Sequence, residues 1–314
     1  MTDAKLGKSA FESAGEPAQE TLSVAVLGAG TMGSAMARRL LSSGLDVRVW
    51  NRSPEPLGAL AQAGVATFSD ARAAVGGSGV VLTMLPTADV VEEVMADGGV
   101  IEAMEPGAVW AQMGTIGLEG IERLADTVAA RRPDIVFVDA PVSGSRGPAE
   151  SGQLVILASG PADAEDLVAP VFTALGRRTL WLGRAGAGSR VKLVLNTWLA
   201  FEVEAAAEAL ALASRWGISH ETLGSAVDGS PLVSPYAASK LAKMQSEDDS
   251  ADFALGLAVK DLALVGAVEG FAAAPTAGVI AERWERLARE GAGVLDVSAA
   301  RLGLGLGATG QPAL

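Results

Sequence analysis

Lys192 and Asn196 are the residues whose types and spacing most readily do chemistry in this chain. They stand four apart in SRVKLVLNTWLAF, which on a helix is one turn, on the same face. A charged Lys among apolar neighbours is expensive unless it snorkels, pairs or works. A working Lys here would hydrogen-bond a carbonyl oxygen and protonate the alkoxide that develops as hydride arrives, a transfer worth about 10²–10⁴-fold in rate. Asn196 would fix the Lys or the carbonyl by hydrogen bonding. The plainer alternative is a snorkelling Lys beside a stray Asn. The rest of the inventory favours chemistry. The chain has no Cys, one His (His220) and one Tyr (Tyr236), so a proton donor is sought among Lys, Asp and Glu. The same absences exclude disulfides, thiolate catalysis and a metal site built from a His or Cys cluster. No metal is expected.

Hydride needs a carrier, and a glycine string offers it a place. The apolar run SVAVLG leads into Gly28-Ala-Gly30-Thr31-Met32-Gly33, which opens a helix. Gly28 would allow the tight turn, Gly30 close approach to a pyrophosphate, and Gly33 close packing of helix on sheet. The helix start, with Thr31 and Met32, would face the phosphates with unpaired N–H groups. A second strand ends in Asn51-Arg52-Ser53, about twenty residues on, where an acid would hold the ribose 2′-OH of NAD. Arg52 and Ser53 suit a 2′-phosphate instead, so NADP(H) is expected over NAD(H). The alternative is an exposed turn Arg with no ligand. Ser143-Gly144-Ser145 follows the strand DIVFV and reads either as a carboxylate-binding loop or as an ordinary Gly/Ser turn. Lys260 sits beside Asp261 in LAVKDLALV. It would face cofactor or substrate, or Asp261 would be its counter-ion.

The elements that must position these residues divide the chain in two. From Leu22, short apolar runs (SVAVLG, DVRVW, GVVLTMLP, AVWAQM, DIVFVDAP, QLVILAS, TLWLG) alternate with helical stretches. Continuous apolar strands separated by helices indicate a mostly parallel, doubly wound α/β sheet buried on both faces. Beyond about residue 185 only helical patterns remain. The first is a long helix, apolar on most sides, which suits burial between domains or subunits. The expected organisation is a disordered tail (1–20), a dinucleotide-binding α/β domain (21–184), an all-α substrate and dimerisation domain (185–301) led by the long interdomain helix, and a loose tail (302–314).

A formal charge of −13 repels phosphate backbones and argues against nucleic acid as a partner. An anionic substrate would need local positive charge to enter. No apolar run has membrane-spanning length, and the N-terminal residues lack the apolar core of a signal peptide; the expected location is the cytoplasm.

GAGTMGSAMARRL, MLP at Met84–Pro86, DAPVSGS at Asp139–Ser145, GAGSRVKLVLN at Gly186–Asn196 and KDLAL at Lys260–Leu264 resemble the β-hydroxyacid dehydrogenase family. They occur in the family's order and cover nearly the whole chain from Leu22 to about Arg301. The resemblance implies a Rossmann domain, a long interdomain helix and an α-helical domain that builds a homodimer or homotetramer. It implies Lys192 as catalytic acid/base with Asn196 as its partner, and Ser143 and Gly144, with Ser145 beside them, at the substrate. Met84, Leu85, Pro86 and Thr115 match positions that line the cofactor, and Lys260 matches the Lys bordering nicotinamide and substrate. Ser145 departs from a frequent Gly and Gly114 from a frequent Ser, while Thr197 and Trp198 follow Asn196 where a second Asn is common. These departures bear on substrate choice rather than reaction class.

The expected substrate is a small carbonyl or hydroxy acid, with glyoxylate or succinic semialdehyde favoured. Two rival readings are weighed against this. Imine reductases are similar but generally carry Asp or Tyr in place of the Lys. A non-catalytic scaffold on the same fold would have lost it.

Overall fold

The computed structural model describes residues 22–306, so the tail expected over 1–20 lies outside the described residues. Six strands form one parallel sheet: β1 (Ser23–Leu27), β2 (Asp46–Trp50), β3 (Ala66–Phe68), β4 (Val80–Thr83), β5 (Val109–Gln112) and β6 (Val136–Asp139). Their order is β3-β2-β1-β4-β5-β6, and the direction of winding reverses between β1 and β4. A crevice opens at such a switch point, beyond the strands' carboxyl ends. Between the strands run α1 (Thr31–Ser42), α2 (Glu55–Gln62), α3 (Ala71–Val75), α4 (Ala88–Glu92), α5 (Val100–Ala103) and α6 (Leu118–Arg131). β1 shows why the sheet is buried on both sides. Val24 and Val26 join the apolar cluster beneath α1, while Ala25 and Leu27 join the one on the opposite face, as the two-residue period of a strand requires.

The runs QLVILAS and TLWLG are strands, but they do not extend this sheet. With β7 (Val142–Ser143) they form a separate three-stranded sheet, in which β8 (Leu154–Ala158) pairs antiparallel with β7 and parallel with β9 (Gly176–Trp181). Helices α7 (Arg146–Glu150) and α8 (Ala164–Leu175) lie between these strands. The two sheets meet where Asp139 and Ser159 exchange backbone hydrogen bonds of 2.9 and 2.7 Å.

The helical half begins with α9 (Ala187–Arg215), 29 residues long and so about 44 Å from end to end. It continues through α10 (His220–Val227), α11 (Pro235–Ser246), α12 (Leu255–Glu269) and α13 (Pro275–Arg289). Val203, Leu210, Met244, Leu262, Ile280 and Trp284 close its core. A 3₁₀ segment, Val297–Leu304, packs back on α9, and Leu306 after it is buried. The loose tail expected from residue 302 therefore does not begin there, because Leu306 still has core to bury; residues beyond 306 lie outside the described residues. The long helix also differs from its sequence pattern: Val194, Leu195, Trp198 and Phe201 face solvent within the single chain.

One buried carboxylate ties the halves together. The N-cap of α9 is Gly186, which has no side chain to cap the helix. Asp139, at the end of β6 and fully buried, does so from 47 residues away. Its Oδ2 accepts from Gly186 N (3.1 Å) and Ser189 N (2.9 Å), and from Ser159 Oγ (3.1 Å), while its Oδ1 accepts from Ser189 Oγ (2.8 Å). Ser159 Oγ accepts in turn from Gly188 N at 2.9 Å. Burial raises the Asp139 carboxyl above the ordinary range, against the hydrogen bonds from Ser189, Ser159 and Gly186.

Replacing Asp139 by Ala strands several buried donors at once, each worth about 1–3 kcal/mol. Asp139→Ala is expected to lose at least about 3 kcal/mol in urea unfolding, and Asp139→Asn, with one acceptor oxygen left, a smaller amount. Unchanged midpoints in both would remove the cap from this account.

Candidate active site

Gly28 follows β1 at φ +107°, and a Cβ there would lie 2.4 Å from the Met84 carbonyl oxygen. A Cβ on Gly33 would lie 1.8 Å from the Gly28 oxygen, so helix and turn touch through glycine alone. Above Gly30 the space is open, with nothing within 4 Å of a built Cβ. No side chain caps α1, so its first N–H groups, those of Thr31 and Met32 among them, point into that space unclaimed. An open, uncapped helix start at a sheet's switch point fits the pyrophosphate of a dinucleotide.

Asn51 is committed elsewhere. Its Oδ1 accepts from Ala29 N (2.9 Å) and its Nδ2 donates to the Ser53 carbonyl (2.8 Å), so it shapes the turn. Arg52 and Ser53 are exposed beside it, and the Arg52 guanidinium has no partner among the described residues.

The loops that follow β4 and β5 are locked by a chain of buried polar groups. Trp110 Nε1 donates to Thr83 Oγ1 (2.9 Å), which donates to Gln112 Oε1 (2.8 Å), while Gln112 Nε2 donates to the Gly114 carbonyl (2.7 Å). Leu85 is buried, Met84 and Thr115 are half-buried, and Pro86 is exposed at the crevice. A Cβ on Gly114 would come within 2.5 Å of the Leu85 oxygen. The absence of a Ser at 114 thus has a geometric cause: the two loops approach too closely for a side chain.

Lys260, on α12 of the helical half, clasps both loops. Its ammonium donates to the Pro86 carbonyl at 3.1 Å and to the Thr115 carbonyl, and it pairs with Asp261 Oδ1 at 2.9 Å. Of the two readings open at the sequence level, Asp261 is the counter-ion, and Lys260 reaches the cofactor-side loops through their backbone. The other Asp261 oxygen accepts from Asn196 Nδ2 at 2.5 Å. Asn196 and Asp261 are both buried, and this bond joins α9 to α12.

One turn before Asn196, Lys192 is half-buried and has no hydrogen bond or ion pair to any described residue. Its pKa is lowered to about 8, mainly by burial; the charge of Asp261 works against that and the charge of Lys260 adds to it. An unpaired ammonium with a pKa near neutrality is a competent proton donor and acceptor. Ser143 lies at the end of β7, which packs against α9. At Gly144 φ is +129°, and a Cβ would meet Leu154 at 2.8 Å. Ser145 precedes α7 without capping it, so the hydroxyls of Ser143 and Ser145 bond to no described residue.

The structure therefore joins Asn196 and Lys260 through Asp261, whose charge also acts on Lys192, and sets the strand that leads into the Ser143–Ser145 loop against the helix that carries Lys192. Asp139, which holds the start of α9, and the Thr83–Gln112 pair, which holds the loop after β5, are not singled out by the sequence. The available signal was an acid ending an apolar strand in DIVFVDAP. Among the described residues no group of three or more His, Cys, Asp or Glu is arranged to hold a metal, and no helix is long and apolar enough to cross a membrane.

Comparison with known proteins bears on this geometry. Residues 23–183 match the NAD binding domain of 6-phosphogluconate dehydrogenase, and residues 186–302 match the NAD-binding region of NADP-dependent 3-hydroxyisobutyrate dehydrogenase. The chain is 31% identical over 281 residues to glyoxylate/succinic semialdehyde reductase 1 of Arabidopsis thaliana, covering 88% of this chain and 96% of that one. It is 30% identical over 285 residues to 2-(hydroxymethyl)glutarate dehydrogenase of Eubacterium barkeri, covering 90% and 94%. The crystal structure of 3-hydroxyisobutyrate dehydrogenase from Salmonella typhimurium superposes with a TM-score of 0.81 at 28% identity, over 90% of this chain and 99% of that one.

The pKa of Lys192 sets a pH dependence. With Lys192 as the proton donor proposed below, carbonyl reduction would need the ammonium, so its rate should hold below about pH 8 and fall as pH rises through that value, while alcohol oxidation, which would need the free amine, should rise. Asp261→Asn removes the charge that supports the ammonium and is expected to move both breaks to lower pH. Profiles of kcat/KM in the two directions test this. A break unmoved in the variant would separate Asp261 from Lys192.

Proposed function

The chain belongs to the β-hydroxyacid dehydrogenase family, and from that premise we propose that it reduces a short aldehyde acid such as glyoxylate or succinic semialdehyde with NADPH, Lys192 serving as the acid. The observation that carries the proposal is the unpaired Lys192 ammonium, lowered to about 8 and held one turn from an Asn196 that is fixed by Asp261.

When bound, the nicotinamide dinucleotide supplies the hydride. Lys192 Nζ donates a hydrogen bond to the carbonyl oxygen, which polarises it, and gives up its proton as negative charge gathers there. Asn196, whose amide nitrogen is taken by Asp261, keeps its orientation relative to Lys192 through that bond. The N–H groups and hydroxyls around Ser143, Gly144 and Ser145 receive the substrate carboxylate. Lys260 stays on the Pro86 and Thr115 carbonyls, so the loops bordering the nicotinamide keep one spacing. Arg52 and Ser53 take the 2′-phosphate, and this is what favours NADPH over NADH. Imine reduction is the second reading. A Lys that donates to a carbonyl oxygen is less suited to a C=N group, which arrives already protonated as an iminium ion and needs no such donor.

The test follows NADPH and NADH oxidation in parallel with glyoxylate, succinic semialdehyde, methylmalonate semialdehyde and one cyclic imine. Turnover with an aldehyde acid and NADPH is expected. Lys192→Ala should then lower kcat by about 10²–10⁴-fold while NADPH binding is retained, and Arg52→Asp should shift the preference toward NADH. Turnover on the imine alone would install the second reading. Saturable NADPH binding without any turnover would favour a scaffold.

We further propose a homodimer or homotetramer. Trp198 is 65% exposed, and with Val194, Leu195 and Phe201 it forms one apolar stripe along α9, a surface that soluble chains normally cover with a partner. Trp198→Asp is expected to lower the mass measured by light scattering toward that of a single chain. An unchanged mass would place the interface elsewhere.

A further inference from the structure

Arg146 directly follows the Ser143–Ser145 loop and begins α7. Its Nε donates to Glu150 Oε1 at 2.8 Å, one turn along the same helix. The two terminal nitrogens have no partner among the described residues, and 62% of the side chain is exposed. A guanidinium held at Nε presents its far edge as a planar pair of N–H donors, the shape that a carboxylate matches with two parallel bonds.

The neighbours of this segment place that edge. β7, just before it, packs on α9, the helix of Lys192, and α7 packs along α1, whose start faces the dinucleotide. From the helical half the charge of Asp252 acts on Arg146, so the side chain lies within electrostatic range of that half. Asp252 is itself held from its own side by Lys243 at 3.3 Å and Lys240 at 3.6 Å. It therefore contributes field to Arg146 without occupying its donors. In a chain of net charge −13, an exposed guanidinium with free terminal nitrogens directly after the Ser143–Ser145 loop supplies local attraction for an anionic substrate.

We infer that Arg146 is a specificity-determining residue, whose free edge binds a carboxylate set two or more carbons beyond the reacting carbonyl. This rests on the carbonyl-reductase reading above and divides its substrates by length. An acid whose carboxylate sits on the carbonyl carbon is served by the Ser143–Ser145 loop next to Lys192. In a longer aldehyde acid the carboxylate extends past that loop, toward the residue that follows it. Such an acid gains a charge-assisted pair of bonds that the shorter one cannot reach.

The test compares succinic semialdehyde, glyoxylate and the uncharged aldehyde butanal on the full chain with NADPH. In Arg146→Gln, kcat/KM for succinic semialdehyde is expected to fall by about 10–100-fold, the range for a lost bond to a charged group, through KM rather than kcat. Values for glyoxylate and butanal, and the KM for NADPH, are expected to stay within about twofold. Arg146→Lys keeps the charge and loses the fork, so it should recover only part of the loss. Equal losses on succinic semialdehyde and glyoxylate would make Arg146 a structural residue. A raised KM for NADPH would assign it to the cofactor, and an unchanged KM for succinic semialdehyde would overturn the assignment outright. A wild-type chain that turns over neither acid would instead remove the carbonyl-reductase reading, and this assignment with it.

Discussion

A carboxylate that ends β6 and is closed off from solvent accepts the first N–H groups of a helix belonging to the other half of the molecule. Everything downstream of Asp139 depends on this arrangement. The helix start carries partial positive charge and unpaired donors, Gly186 brings no side chain to meet them, and Asp139 with Ser159 meets those of Gly186, Gly188 and Ser189, while the Arg184 carbonyl takes that of Ala187. Lys192 stands less than one turn beyond the last residue so held. The direction in which α9 leaves the sheet, and therefore the position of Lys192, follows from the three hydrogen bonds that Gly186 and Ser189 give to a single carboxylate.

A second constraint acts from the opposite side. Lys260 reaches from α12 to the Pro86 and Thr115 carbonyls, which belong to loops already fixed by the Trp110–Thr83–Gln112 chain. Asp261 then links Lys260 to Asn196. The cleft between the halves is thus closed by charged and polar contacts between α12, α9 and the two loops. A site assembled from two halves needs both ties, since one would leave the halves free to hinge about it.

Local signals in the sequence made the fold legible, and contacts between distant segments did not. The glycine string, the apolar strands and the long helix all speak through nearest neighbours, and the parallel sheet, α1 and α9 follow from them. β3 has three residues, too few to show a period. The second sheet is invisible because a buried apolar strand looks the same whichever sheet receives it. Lys192 stood out as a charge in an apolar helix. Asn196 stood out by its spacing from Lys192, but its bond to Asp261 spans 65 residues, and no local pattern encodes it. Gly114 read as a departure bearing on substrate, whereas the close approach of Leu85 explains it by space alone.

The lowered pKa of Lys192 depends on how one carboxylate is shared. Asp261 is the acid whose field supports the Lys192 ammonium, and paired directly with it, would hold that proton far too firmly for transfer. Both of its oxygens are taken, one by Lys260 and the other by Asn196. What remains for Lys192 is the field of a charge already half answered, together with the repulsion of Lys260 and the cost of burial. Burial then prevails, and the amine titrates near neutrality. Lys260 thus acts on Lys192 twice without touching it: it pairs with the carboxylate whose field supports the ammonium, and it adds a like charge.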